Sequence, residues 1–314
     1  MQSSIFWMKE NIDLSANGKL LLTGEYLVLV GAVALAFPVR FGQSIHVEPD
    51  HHHRIQWVSK ENGITWFSCD LKSTTLEIIS TSDHQIASRL VNLLLSAKRI
   101  NPKYLSENPG LNISVDANYP LNWGLGSSST LIALVAEWAQ VDKFKLFRQI
   151  SQGSGYDVAC TDRNSMLFYQ LSNGEVFVHD AQPGKAILNH TCFAYLGKKQ
   201  ETAVEVSAFL AGKNFTNFDV ERISELSLRI CKADDPSILC SLVDEHEDIL
   251  GRILIKERIG NRFPGFPGSV KSLGAWGGDF AMFVSEIGNE FIKTWLKQKG
   301  FSVVFSYDEL KIPV

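Results

Sequence analysis

Between residues 124 and 130 the chain reads Gly-Leu-Gly-Ser-Ser-Ser-Thr, and this run constrains the fold more than any other. Residues 111–116 alternate apolar and polar, as a half-buried strand does, and Tyr119-Pro120 ends that strand. An apolar helix is expected after the run, over residues 128–140. Glycine lets backbone come close to a ligand. A helix start offers free N–H groups and a partial positive charge. Strand, glycine turn and serine-rich helix start thus make an anion site suited to phosphate, and a serine hydroxyl can add a magnesium ligand. An isolated Gly-x-Gly would read as a plain turn before a Ser-capped helix. Two glycines followed by three serines favour phosphate. The run is not GxxxxGK[ST], which disfavours a Walker-type NTPase, and Ser129 stands where a Rossmann fingerprint has its third glycine. Neither HRD nor DFG occurs, which disfavours a protein kinase.

Two further segments can carry chemistry. In Gly153-Ser154-Gly155-Tyr156-Asp157-Val158-Ala159 a lone acid follows a flexible turn. Such an aspartate can accept the proton of a substrate hydroxyl or hold that hydroxyl in line; taken alone it is more commonly a turn or cap residue. Gly274-Ala275-Trp276-Gly277-Gly278-Asp279 precedes an apolar strand and serves either close backbone approach or a tight turn. Lys19 opens the first apolar strand, with Glu25 and Tyr26 at its far end. Beside a phosphate, Lys19 could screen the charge that develops on transfer. His51, His52 and His53 follow Pro49-Asp50 and read as a solvated loop rather than a metal site.

The chain has 314 residues, enough for two domains, with 30 Lys+Arg against 34 Asp+Glu and a net charge of -4. No long basic run is present, which argues against nucleic acid as a partner. Cys69, Cys160, Cys192, Cys231 and Cys240 form no CxxC pair, so a reducing cytoplasm is expected. No signal peptide and no membrane span are expected, because no basic start precedes an apolar stretch and no run of about 18 apolar residues occurs. Strands are expected over 19–23, 27–30, 32–37, 43–48, on both sides of Asn62-Gly63, and over 165–170 and 175–179. A helix capped by Ser82 is expected over 83–99. Residues 180–190, with Pro183-Gly184, read as the linker. After it come a strand (192–196), helices (201–211, 219–232, 236–258), two strands (270–273, 280–284), a helix (288–298) and a strand (301–305). With the extra helices as insertions, that order is β-α-β-β-α-β, as in ferredoxin-like domains.

Taken together the segments resemble the GHMP kinases, named for galactokinase, homoserine kinase, mevalonate kinase and phosphomevalonate kinase. The resemblance rests on three motifs in order: Gly18-Lys19 through Gly24-Glu25-Tyr26, Pro120 through Ser128, and Gly274 through Asp279. It covers nearly the whole chain. Gly24-Glu25-Tyr26 and Gly153 through Val158 look most like the phosphomevalonate kinases, and Gly-Tyr-Asp-Val-Ala also looks like a bacterial subgroup with a GYDIA signature. Trp276 replaces a motif glycine, Trp123 sits where a small residue is usual, and Leu146 stands where mevalonate kinases carry a magnesium-binding glutamate. Two indoles flanking the phosphate loops could narrow a nucleotide site or stack on the base.

The resemblance implies an α+β chain of two domains: residues 1–185, ribosomal-protein-S5-like and ATP-binding, and residues 186–314, ferredoxin-like. It implies ATP and Mg2+ as cofactors, with the phosphates on Gly124, Leu125, Gly126, Ser127, Ser128, Ser129 and Thr130, and Ser128 as a magnesium ligand. Asp157 and Lys19 would be catalytic. Glu25, Tyr26, Ser154 and Gly155 would border a small-molecule acceptor, and Gly274, Gly277, Gly278 and Asp279 would form the third glycine-rich motif. The expected reaction is phosphoryl transfer to a mevalonate-pathway metabolite. The alternatives are another hydroxyl acceptor, such as homoserine or a sugar, and a catalytically weak homologue that binds a ligand. No membrane association is implied, and a homodimer is allowed for.

Overall fold

The computed structural model describes residues 11–106, 110–197, 202–212, 214–274 and 278–313. They form two compact units. One takes the chain up to Gly18, Phe41–Leu121 and Leu125–Asp162; the other takes Lys19–Arg40, Asn122–Gly124 and the chain from Arg163 on.

The first unit receives the beginning of β1 (Ile12–Thr23) and the end of β2 (Ala34–Pro49). With β3 (Arg54–Glu61), β4 (Ile64–Lys72), β5 (Ile78–Thr81) and β6 (Leu111–Ala117) the sheet order is β5-β4-β3-β6-β2. In this order β3 and β6 pair in parallel, and β5–β4, β4–β3 and β6–β2 are antiparallel. The β3–β4 turn is at Asn62-Gly63, with φ of 50° and 79°, the positive values that a two-residue hairpin turn needs. Alternation puts Ile45, Val47, Ile55, Trp57, Ile113 and Val115 on the buried face. That face forms one core with Leu90, Leu93 and Leu94 of α1 (His84–Ile100) and with the apolar residues of α2 (Ser127–Trp138) and α3 (Lys143–Ile150). Each such leucine contributes about 1.5–3 kcal/mol by leaving water. α4 (Tyr156–Cys160) packs on α2.

In the second unit the start of β2 pairs with β7 (Leu167–Ser172), and β7 pairs with β8 (Glu175–Asp180). Then come α5 (Lys185–His190), β9 (Thr191–Tyr195), α6 (Thr202–Gly212), α7 (Asn217–Lys232), α8 (Pro236–Leu254), β10 (Ser269–Leu273), β11 (Phe280–Val284), α9 (Asn289–Gln298), β12 (Val304–Ser306) and α10 (Tyr307–Leu310). The four-stranded sheet has the order β10-β11-β9-β12 with every neighbour antiparallel. β9 and β10 therefore flank β11, the split β-α-β arrangement of a ferredoxin-like sheet. Among the described residues no helix is long and apolar enough to cross a membrane.

Four local expectations change. Residues 27–30 form a 3-10 turn, not a strand: Tyr26 (φ 61°) and Gly31 (φ 102°) bracket it in left-handed conformations, and an apolar run this short carries no period to decide between the two. Asp83, not Ser82, caps α1 by accepting from the Gln85 and Ile86 N–H groups, while Ser82 is drawn to the Ser68 backbone. The expected linker contains α5. Helix α3, capped by Asp142, was not expected at all.

Candidate phosphate site and a buried charge cluster

α2 begins at Gly126, whose φ of 92° and ψ of 35° belong to the left-handed region. Most L-residues avoid that region, so the glycine lets the strand-to-helix turn close. No side chain caps this end, which leaves the first-turn N–H groups without intrahelical partners. Of the hydroxyls, two turn inward. Ser129 Oγ donates to the Gly126 carbonyl at 2.8 Å, and Thr130 Oγ1 donates to Gln43 Oε1 at 2.7 Å. Leu125 is buried as well, so it has only backbone to offer. Ser127 is half-buried and Ser128 exposed, and neither hydroxyl makes a hydrogen bond among the described residues.

Asp157 lies in the first turn of α4, after Gly155, and is half-buried. Its Oδ1 accepts the Val158 N–H at 3.0 Å. Ser154 is half-buried beside it and Gly155 is buried. The Thr161 carbonyl just past α4 accepts the Asn17 N–H at 2.8 Å, which ties this helix to the residues before Gly18-Lys19. The first unit thus holds both the uncapped helix start and the candidate base.

In the second unit, parts of all three motifs meet at Gly124. The Lys19 ammonium donates to the Gly124 carbonyl at 3.1 Å. A Cβ placed on Gly124 would fall 1.7 Å from Asp279 Oδ2, so the carboxylate occupies the space that any side chain here would need. Gly124 also has a φ of 70°. Gly274 and Gly278 flank residues 275–277; the expected roles of Gly277 and Trp276 lie outside the described residues. Trp123 is engaged with protein rings, with centroids 6.2 Å from Tyr195, 6.2 Å from Phe280 and 5.6 Å from Phe305. Leu146 is wholly buried in α3 and offers nothing to a metal. Among the described residues no cluster of three His, Cys, Asp or Glu side chains could hold a metal ion.

Glu25 and Tyr26, expected at the acceptor, are interior. Tyr26 is 5% exposed, with its ring centroid 5.5 Å from that of Phe209. Glu25 ion-pairs with Lys271, which is itself fully buried. Glu247 Oε1 is 3.9 Å from the same ammonium and accepts the Ser272 N–H at 3.1 Å. His246 Nε2 accepts the Gly24 N–H at 3.2 Å and lies 3.5 Å from Glu25 Oε2. Glu25 Oε2 and His246 Nδ1 have no hydrogen-bond partner among the described residues. Burial raises the Glu25 carboxyl, against the opposing pull of Lys271. Burial pushes Glu247 up to about 7, and burial together with the Lys271 charge holds His246 well below the ordinary histidine range. Sequence reasoning did not assemble this cluster. One signal was present: His246 and Glu247 fall on the apolar stripe of α8 with Leu239, Leu242, Val243 and Leu250.

The fold is that of the GHMP kinases. The phosphomevalonate kinase of Streptococcus pneumoniae, solved with phosphomevalonate and AMPPNP, superposes with a TM-score of 0.71 over 94% of this chain and 99% of its own, at 14% identity. The mevalonate kinase of Methanococcus jannaschii gives 0.69 over 97% and 99%, at 16% identity. Galactokinase of Lactococcus lactis, solved with galactose, gives 0.62 over 97% and 94%, at 10% identity. No protein-family profile and no curated sequence matches the chain.

Proposed function

We propose that this protein is an ATP-dependent kinase that transfers the γ-phosphoryl group to a small mevalonate-pathway metabolite, phosphomevalonate or mevalonate. The observation that carries the reading is the uncapped start of α2, where glycine backbone, first-turn N–H groups and the unengaged Ser127 and Ser128 hydroxyls converge. The nucleotide and phosphomevalonate bound in the pneumococcal neighbour favour this substrate class.

In this reading the γ-phosphate rests on the α2 N–H groups and Lys19 offsets the charge that develops during transfer. The acceptor oxygen, a hydroxyl in mevalonate or a phosphate oxygen in phosphomevalonate, forms a bond to the γ-phosphorus, the bond from phosphorus to the β,γ-bridging oxygen breaks, and Asp157 takes any proton that the acceptor oxygen carries. ADP leaves. Mg2+ would be held by the nucleotide phosphates with Ser128 as its protein ligand, since magnesium keeps most of its waters; when bound, it would neutralise phosphate charge. Ser154 and Gly155 would border the acceptor. The acceptor's own anionic groups need a cation other than Lys271, which is held by Glu25, and other than Arg163, which pairs with Asp180 at 2.8 Å. Five free thiols, four of them buried, fit a reducing cytoplasm.

The likeness to galactokinase favours a sugar as the second acceptor class. The test is ADP release by purified protein with Mg-ATP against mevalonate, phosphomevalonate, homoserine and galactose. Turnover with either of the first two supports the proposal. Turnover only with homoserine or galactose moves the acceptor, and none with any of the four while Mg-ATP binds points to a ligand-binding homologue.

A further inference from the structure

Away from every motif residue, the second unit has a cavity of about 280 Å³ lined by Arg262, Phe263, Pro264, Trp295, Lys299 and Phe301. Its floor is aromatic. The Phe263 and Phe301 ring centroids are 5.8 Å apart, and the far side of Phe263 is locked edge-on against Phe283 at 4.8 Å. Trp295 is steadied by Phe266 at 5.0 Å. The rim is cationic: Lys299 Nζ sits 5.2 Å from the Trp295 ring centroid, and Arg262 stands at the end of the 3-10 turn Ile259–Arg262. Neither cation is in an ion pair among the described residues, whereas the neighbouring Arg258 is claimed by Asp244 and Asp248 of α8. Among the described residues no carboxylate lines the cavity.

Two uncompensated cations over an aromatic floor, on a chain with a net charge of -4, form a local anion attractor with a preference for flat bodies. A guanidinium presents paired N–H donors that match a phosphate or carboxylate, and the rings offer stacking area to an attached planar group. The volume lies just below the usual range for small-molecule pockets of about 300–1,000 Å³, which suits one ring with one anionic group rather than a dinucleotide. We infer that this cavity is a second binding site, for a small phosphate monoester that carries an aromatic or heteroaromatic ring. The inference stands independently of the kinase reading, because none of its residues takes part in that mechanism.

Phenyl phosphate is the probe, titrated calorimetrically into the full-length protein, with phenol and inorganic phosphate as separate arms. Saturating Mg-AMPPNP serves as the control at the proposed nucleotide site. The expected result is saturable binding of phenyl phosphate, with phenol and inorganic phosphate each weaker by about tenfold or more. Arg262→Glu should weaken it by about tenfold or more, Lys299→Gln should weaken it severalfold, and saturating Mg-AMPPNP should leave it unchanged. Both rim residues are exposed, so the variants will fold, and thermal melting checks that they do. Binding that survives Arg262→Glu unaltered, equal affinity for inorganic phosphate, displacement by Mg-AMPPNP, or no binding at millimolar probe would each overturn the inference.

Discussion

Asp157, Glu25 and Gly124 are three single residues whose replacement separates chemistry from structure. A positioned base is worth roughly 10²–10⁴-fold in rate. Asp157→Asn is therefore expected to lower kcat by at least about 10²-fold while Mg-ATP still binds, as a radioassay and calorimetry on one preparation would show; near-normal turnover refutes the assignment. Lys271→Met removes the cation between two buried carboxylates. Stranding buried charge costs about 3–5 kcal/mol, which denaturant unfolding will read directly. The pair Glu25→Gln with Lys271→Met should lose less than the sum of the single variants, because each single change leaves the other partner uncompensated. Gly124→Ala adds a methyl where Asp279 Oδ2 already sits and forces a left-handed alanine. It should be destabilised by more than about 1 kcal/mol. In the sequence, Lys19, Gly124, Asp157 and Asp279 were all visible as chemistry-bearing positions. The convergence on Gly124 was not, because contact between residues 19, 124 and 279 belongs to no local pattern.

Helix α2 divides its own hydroxyls between two tasks. Ser129→Ala should cost about 1 kcal/mol of stability, through the lost bond to Gly126, and leave nucleotide affinity alone. Ser128→Ala should leave the melting temperature alone and weaken Mg-ATP. The reverse pattern would mean that the helix start is a structural cap. Helix α8 carries a pH signature. Glu247 titrates at about 7 in the folded chain against an ordinary carboxylate value of 4.5 when unfolded. The folded state holds the proton more tightly, so this contribution is complete below pH 4.5 and is lost as pH rises through about 7. Unfolding free energy measured from pH 5 to 8 should fall by on the order of 1–3 kcal/mol from this group, and Glu247→Gln should flatten the fall. Period and capping made α1, α7, α8 and α9 legible in the sequence. The 3-10 turn at 27–30 and the six-residue α5 were not, since both are shorter than the pattern needed to define them.

For the whole molecule, the division into compact units cuts through β1 between Gly18 and Lys19 and through β2 between Arg40 and Phe41. Lys19 and Glu25 thus belong to the compact unit that holds the four-stranded sheet, whereas Ser128 and Asp157 belong to the first unit. A ligand that binds only the native chain stabilises it by mass action, about 2.7 kcal/mol at a hundredfold excess over Kd. Mg-AMPPNP is accordingly expected to raise the Tm of the native protein and of Asp157→Asn alike, and to raise that of Ser128→Ala less. Equal shifts in all three would remove Ser128 from the nucleotide site.

By itself the sequence determined the class of elements, the strand–glycine–helix turn and the order β-α-β-β-α-β, because periodicity, helix polarity and glycine conformation are properties of neighbours along the chain. Only the tertiary structure decided that Glu25 is buried and faces Lys271 across 246 residues. The same holds for Trp123, which packs on protein rings, and for the aromatic floor and cationic rim assembled from Arg262 and α9. The reason is physical. Desolvation and Coulomb attraction depend on distance in space and on burial, and neither quantity exists until the chain has folded.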